Sequence, residues 1–148
     1  MSHSETRIAV VTGASSGIGR ATTELLRTQG LFVIGLARGL KDSQWTRSCD
    51  VRDEEKVKAV FHEIEVEFGH LDLLVNCAGI TSLVSDPLSY SAKDWETILQ
   101  TNLIGMYHCC KHALSRMVKH GYGRICLLYT SDAADEGLGV DLGGRRII

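Results

Sequence analysis

No apolar run in this sequence approaches the roughly 20 residues that a membrane-spanning helix requires. Residues 1–7 are polar, and the apolar run at 8–11 stops at Thr12-Gly13, too soon for the core of a secretory signal. Lysine and arginine form no stripe; charges of both signs are interspersed and the net charge is -2, so neither a membrane nor a nucleic acid is an expected partner. Cysteine is present five times, an odd count, and never in CxxC spacing. That excludes a disulfide scaffold and fits reduced thiols in a cytoplasmic protein. No internal repeat is found, which sets aside solenoids. What remains is a chain of 148 residues, 44 % of them hydrophobic, with room for one domain and a real core.

The apolar pattern alternates between two periods. Residues 7–11 read as a short buried strand. A helix follows over 18–29, with Ile18, Ala21, Leu25 and Leu26 at helical spacing and Gly30 ending it. Strands are expected at 31–37 and, more weakly, at 46–49. Residues 54–68 read as a helix with Val57, Val60, Phe61 and Ile64 on one face, stopped by Gly69. A fourth strand covers 71–75, and Asp86-Pro87 lies in a loop. Residues 91–119 read as one long helix, started by Ser91 as N-cap with Asp94 three positions on, and bent near Gly105. Gly121 and Gly123 end it, and 124–128 begins a fifth strand. Near-continuous apolar strands separated by amphipathic helices predict an α/β fold with a parallel sheet covered on both faces.

The first strand runs into Thr12-Gly13-Ala14-Ser15-Ser16-Gly17-Ile18-Gly19 and then a helix. Glycines there permit a tight turn and let backbone approach a pyrophosphate, while the helix N-terminus offers free N–H groups to the phosphates. Ser15 and Ser16 add hydroxyl donors. No Lys-Ser/Thr follows the last glycine, so the loop is not a P-loop. Thr12-Gly13-x-x-x-Gly17-Ile18-Gly19 resembles the cofactor fingerprint of the classical short-chain dehydrogenases/reductases, the 3-oxoacyl-reductase-like members among them. The resemblance covers residues 7 to about 125. It implies a Rossmann-type, doubly wound parallel sheet, truncated here after the fifth strand, and a dinucleotide-binding domain over 1–125.

The second strand ends Gly35-Leu36-Ala37-Arg38, with no acid to accept from the 2′-hydroxyl of NAD. Arg38 can pair with a 2′-phosphate, so NADP(H) is favoured over NAD(H); the alternative is a solvated loop arginine. Asp42 falls in the following loop. By resemblance, Asp50-Val51 is the adenine-contacting pair, the Asp accepting from the exocyclic amine and a backbone N–H donating to the ring. Asn76-Cys77-Ala78-Gly79 looks like the family's NNAG segment, with Cys77 in place of the second Asn. Asn76, Ala78 and Gly79 match, and Cys77 reads as a small buried hydrophobe rather than a nucleophile.

The family's chemistry is hydride transfer between nicotinamide and a small carbonyl or alcohol, served by Asn, Ser, Tyr and Lys. Asn102 matches the Asn position. Gly123-Arg124-Ile125 matches the start of the fifth strand, but the Ser and the Tyr-x-x-x-Lys do not follow, and no lysine occurs after Lys119. The text match Tyr107-x-x-x-Lys111 lies before the fifth strand and reads as packing. His108 and His112 read as one polar helix face rather than metal ligands, since catalytic zinc needs a third ligand. Residues 80–90 are expected to form one wall of a substrate pocket. Residues 126–148 show neither period. Cys126-Leu127-Leu128-Tyr129-Thr130-Ser131 is what TGT CTC TTA TAC ACA TCT encodes, which resembles a transposon-end adapter; the tail is expected to be translated adapter or a divergent, disordered segment. The expected function is NADP(H)-dependent oxidoreduction by a homo-oligomeric parent enzyme, with this chain inactive as written. The alternatives are a non-catalytic dinucleotide-binding half domain and a gene fragment with no function of its own.

Overall fold

The computed structural model describes residues 6–81 and 87–128. Asp86 and the tail residues 129–148 lie outside the described residues, and with them most of the expected adapter-like or disordered segment.

Five strands form one parallel sheet: β1 Ile8–Thr12, β2 Phe32–Ala37, β3 Thr46–Ser48, β4 Leu73–Asn76 and β5 Arg124–Leu127, in the order β3-β2-β1-β4-β5. The helices between them are α1 Gly17–Thr28, α2 Glu54–Phe68, α3 Ala92–Leu99 and α4 Met106–His120. This is the expected Rossmann-type α/β architecture. The chain winds outward from β1 through β2 to β3, then crosses back to β4, so the order reverses between β1 and β4. Ligands of open parallel sheets bind at such a reversal, beyond the carboxyl ends of the strands.

The unbroken apolar run of β1 follows from burial on both faces. Ile8 and Val10 enter the larger core with α2 and α4, while Ala9 and Val11 enter the smaller core on the opposite face. Val57, Val60, Phe61 and Ile64 of α2 are all buried, as the sequence predicts. The N-cap Asp53 accepts from the Lys56 N–H at 3.1 Å, and Gly69 ends α2 in a left-handed conformation.

Helix α1 departs from expectation. Ile18 and Leu25 are 68 % and 61 % exposed, and the buried residues are Gly19 and Thr23. The helix meets the sheet through small residues, with the Thr23 hydroxyl donating to Gly19 O at 2.8 Å. Of the four apolar positions at helical spacing, Leu26 alone packs against the smaller core, so apolar spacing marks the buried face of α1 poorly.

The expected long helix is divided in three. Ser91 and Asp94 form a reciprocal capping box at the start of α3. Residues Gln100–Gly105 are π-helical and pass directly into α4. The irregularity ends at Gly105, where a Cβ would stand 2.5 Å from Val51 Cγ2. Strand β5 continues through Cys126 and Leu127, beyond residue 125 where the sequence pattern weakens.

His108 and His112 share one face of α4, and that face is buried rather than solvated. They are 8 % and 9 % exposed and turn toward α2: His108 Nδ1 lies 3.0 Å from Val51 O, and His112 Nε2 lies 3.3 Å from Glu54 Oε1. Among the described residues no cluster of three or more His, Cys, Asp or Glu is arranged to hold a metal. None of the five cysteines is paired in a disulfide, and no helix among the described residues is long and apolar enough to cross a membrane.

Candidate functional site

The carboxyl ends of β1, β2 and β4 open into a cleft of about 620 Å³. One wall is the loop after β1 with the start of α1: Gly13, Ser15, Ser16, Gly17, Ile18 and Gly19 all line it. The loop lies close against its surroundings. A Cβ on Gly13 would stand 2.9 Å from the backbone of Cys77 and Ala78, and one on Gly19 would stand 2.3 Å from Gly13 O. The start of α1 differs from those of α2 and α3. Its N-cap Ser16 makes no side-chain capping bond and no acid lies in the first turn, whereas Asp53 caps α2 and Ser91 caps α3. The first-turn N–H groups of α1 are thus left for an external acceptor, and the helix dipole adds positive potential there. Glycine cradle, free donors and absence of acid together fit a pyrophosphate.

Thr12 contributes in a way the sequence reading missed. Fully buried at the end of β1, it accepts through Oγ1 from the N–H groups of Cys77 and Ala78 at 3.1 and 3.0 Å. That staple brings the loop after β4 against the glycine loop. A hydroxyl residue directly before the first glycine was the available signal. Ala78 and Gly79 line the cleft. Asn76 does not line it; it is buried below, its Nδ2 donating to Cys110 Sγ at 3.4 Å, and its Oδ1 has no partner among the described residues. Cys77 is half-buried against the smaller core, and burial raises its thiol above the ordinary value, in keeping with an inert packing role.

The far wall carries Arg38, Asp50 and Val51. Arg38 is exposed beyond the end of β2, with no acid beside it in the strand. Asp42 is turned away, accepting from the Ser48 N–H at 2.6 Å. The Asp50 carboxylate is held below the usual range, chiefly by hydrogen bonding from Arg52, which donates its backbone N–H, Nε and Nη2 to it. Ile80, the start of the expected substrate-pocket wall, also lines this cleft, as do Leu36, Ala37, Gly39, Cys49 and Thr101, which sequence reading did not assign to the site.

Asn102 stands in the π-helical segment and lines a second cleft of about 810 Å³. The two clefts share Cys77, Ala78, Gly79 and Ile80. Asn102 grips Ile80 twice: Oδ1 accepts from the Ile80 N–H and Nδ2 donates to Ile80 O, both at 2.8 Å. Ile80, Thr81 and Tyr90 form part of the second cleft's wall, as do Trp95, Met106 and Leu127; residues 82–86 lie outside the described residues. No lysine, histidine or carboxylate lines this cleft among the described residues. Tyr107 is 54 % exposed and lines neither cleft, while Lys111 is engaged with Glu54 at 2.7 Å. Their Tyr-x-x-x-Lys spacing therefore has no site to act on.

Residues 7–140 match the sequence model of a family described as short chain dehydrogenase. The 3-oxoacyl-[acyl-carrier-protein] reductase FabG of Haemophilus influenzae is 40 % identical over 131 residues, which is 80 % of this chain and 53 % of that protein. The cis-4-hydroxycyclohexanecarboxylate dehydrogenase of Sinomonas cyclohexanicum is 39 % identical over 132 residues, 80 % of this chain and 53 % of that protein. The solved structure of ElxO with NADP bound superposes with a TM-score of 0.76 at 28 % identity, covering 82 % of this chain and 54 % of that one. The chain thus spans about half the length of the curated relatives it matches.

Proposed function

The chain belongs to the short-chain dehydrogenase family, and from that membership we propose that it binds NADP(H) in the cleft above β1 and β4. The observation that carries this reading is the start of α1, uncapped and free of acid behind a close-packed glycine loop. Gly13, Ser15, Ser16, Gly17, Ile18 and Gly19 would hold the pyrophosphate. Asp50 and Val51 would meet the adenine, with Asn76, Ala78 and Gly79 supporting the floor beside the ribose. Arg38 would pair with the 2′-phosphate, where NAD carries a hydroxyl that an acid would prefer. The NADP carried by the ElxO structure agrees with this choice.

For the whole protein the proposed activity is hydride exchange with a small carbonyl or alcohol, in a cytoplasmic homo-oligomer. The bound nicotinamide supplies the hydride chemistry. Asn102 is the one catalytic-type residue assigned here, and it holds the Ile80 backbone at the junction of the two clefts. The relatives' names span a 3-oxoacyl-[acyl-carrier-protein] reductase and a cis-4-hydroxycyclohexanecarboxylate dehydrogenase, so the substrate class stays at carbonyl or alcohol. A second reading, dinucleotide binding without turnover, suits the polypeptide as written, because no lysine follows Lys119 and no Tyr-x-x-x-Lys follows β5.

Calorimetric titration of the 148-residue chain with NADPH and NADH tests both parts. NADPH is expected to bind at least tenfold more tightly, about 1.4 kcal/mol, with the preference reversed by Arg38→Asp. Absence of binding by either dinucleotide would overturn the assignment, and steady NADPH-dependent turnover would overturn the inactivity.

A further inference from the structure

The adenine end of the cleft is shaped from behind by α4. Val51 is buried, and its carbonyl accepts from His108 Nδ1 at 3.0 Å across 57 residues of sequence. A carbonyl can only accept, so Nδ1 carries the hydrogen and the ring orientation is set. The other ring nitrogen, Nε2, faces Glu54 Oε2 at 3.8 Å. Glu54 is itself held by Lys111 and His112 of α4 at 2.7 and 3.3 Å. Gly105, one turn before His108, lets α4 approach so closely that a Cβ there would meet Val51. The N–H of Val51 makes no hydrogen bond among the described residues, while the neighbouring Asp50 carboxylate is engaged by Arg52. The Val51 backbone therefore has a fixed acceptor and an open donor, and it lines the cleft.

We infer that His108 is a positioning residue for adenine recognition: its imidazole anchors the Val51 carbonyl so that the Val51 N–H is held ready for a purine ring. This rests on the reading of the cleft as a dinucleotide site. His108 lines neither cleft, so it acts only through Val51. The anchor is lost when the Nδ1 donor is removed and kept when a donor is restored at the same point. Asparagine places its amide N–H where Nδ1 stands; leucine fills similar space without a donor.

The test uses the full 148-residue chain with adenosine 2′,5′-bisphosphate and inorganic pyrophosphate as probes, followed by NMR titration. His108→Leu is expected to weaken the bisphosphate about five- to tenfold, the size of one hydrogen bond, and to leave pyrophosphate unchanged. His108→Asn is expected to bind the bisphosphate within about twofold of the parent chain. Amide hydrogen exchange of the unliganded chain over residues 50–53 should quicken in the leucine variant and not in the asparagine one. Should the leucine variant fail to fold, His108→Gln replaces it, since its amide stands near Nε2 rather than Nδ1. Unchanged bisphosphate affinity in the leucine variant, or an asparagine variant as weak as the leucine one, overturns the inference. Failure of the parent chain to bind the bisphosphate overturns the dinucleotide reading instead, and the exchange measurement then decides whether His108 orders Val51.

Discussion

Two glycines in the first turn of α1 show how one residue type meets unlike demands. Gly17 has φ +53° and open space where a Cβ would stand, so its requirement is conformational. Gly19 has no positive φ; its requirement is contact, because a Cβ would lie 2.3 Å from Gly13 O and 2.7 Å from Gly13 C. The substitutions should separate accordingly. Gly17→Ala is expected to cost about 1 kcal/mol of stability, the left-handed penalty for an L-residue, while the new methyl stands in the cleft and weakens NADPH binding. Gly19→Ala must displace backbone, with a cost of about 1–3 kcal/mol and loss of binding as well. Urea unfolding beside an NADPH titration distinguishes the two: equal destabilisation would show that φ and contact are not separable in this turn. The motif text treats these glycines alike, and only the surroundings of each reveal the difference.

At the scale of the elements, the seam between α2 and α4 is electrostatic on its outer side. Hydrogen bonding from Lys111 foremost, and from His112, holds the Glu54 carboxyl below its ordinary value of 4.5, and Lys119 does the same for Glu65. Arg116, buried between the helices, donates from Nε to Phe61 O at 3.0 Å and lies 3.3 Å from Glu65 Oε2. A carboxylate with a depressed folded pKa contributes stability that is fully present above its unfolded value and is lost as pH falls through the folded one. The urea midpoint should therefore hold steady from neutral pH to about 5 and decline below 4.5. Glu54→Gln is expected to flatten part of that decline, and an unchanged acid limb in this variant would remove the seam as its cause. This seam was not legible in the sequence, since its partners are more than 50 residues apart. What was legible follows a rule of contact. The buried face of α2 could be read because it packs through large apolar residues at regular spacing. The buried face of α1 could not, because close approach to the sheet selects Gly19 and Thr23 and leaves Ile18 and Leu25 outside. The glycine loop and Arg38 could be singled out from local chemistry and Asp50-Val51 from the family resemblance, and the structure brings them to one cleft. The Thr12 staple and the His108 anchor were not, being made between distant segments.

For the molecule as a whole, the sheet order leaves two edges among the described residues, and they are not equivalent. β3 is three residues long and is closed by an antiparallel bridge between Ser43 and Thr46. A short, interrupted edge offers little template for pairing with another chain. β5 is longer and its sequence, Arg-Ile-Cys-Leu, is mostly apolar. Arg124 N–H donates inward to Asp72 O, and Leu128 N–H to Asn76 O. By the alternation of a parallel ladder the N–H groups of Ile125 and Leu127 point away from β4. Leu127 is 41 % exposed and Leu128 is exposed beside it. An apolar edge with unpaired donors favours strand-to-strand association. The 148-residue chain is accordingly expected to self-associate at micromolar concentration, more strongly in high salt, where charge repulsion is screened. Leu127→Lys places a charge at that edge, in the wall of the second cleft and outside the first, so it should keep the chain monomeric at higher concentration and leave the affinity for adenosine 2′,5′-bisphosphate, a probe of the first cleft alone, within about twofold. Sedimentation velocity across a concentration series reads the first effect and calorimetry the second. If Leu127→Lys associates as the parent chain does, the contact lies elsewhere, and the exposed Ile18 and Leu25 of α1 become the surface to alter next.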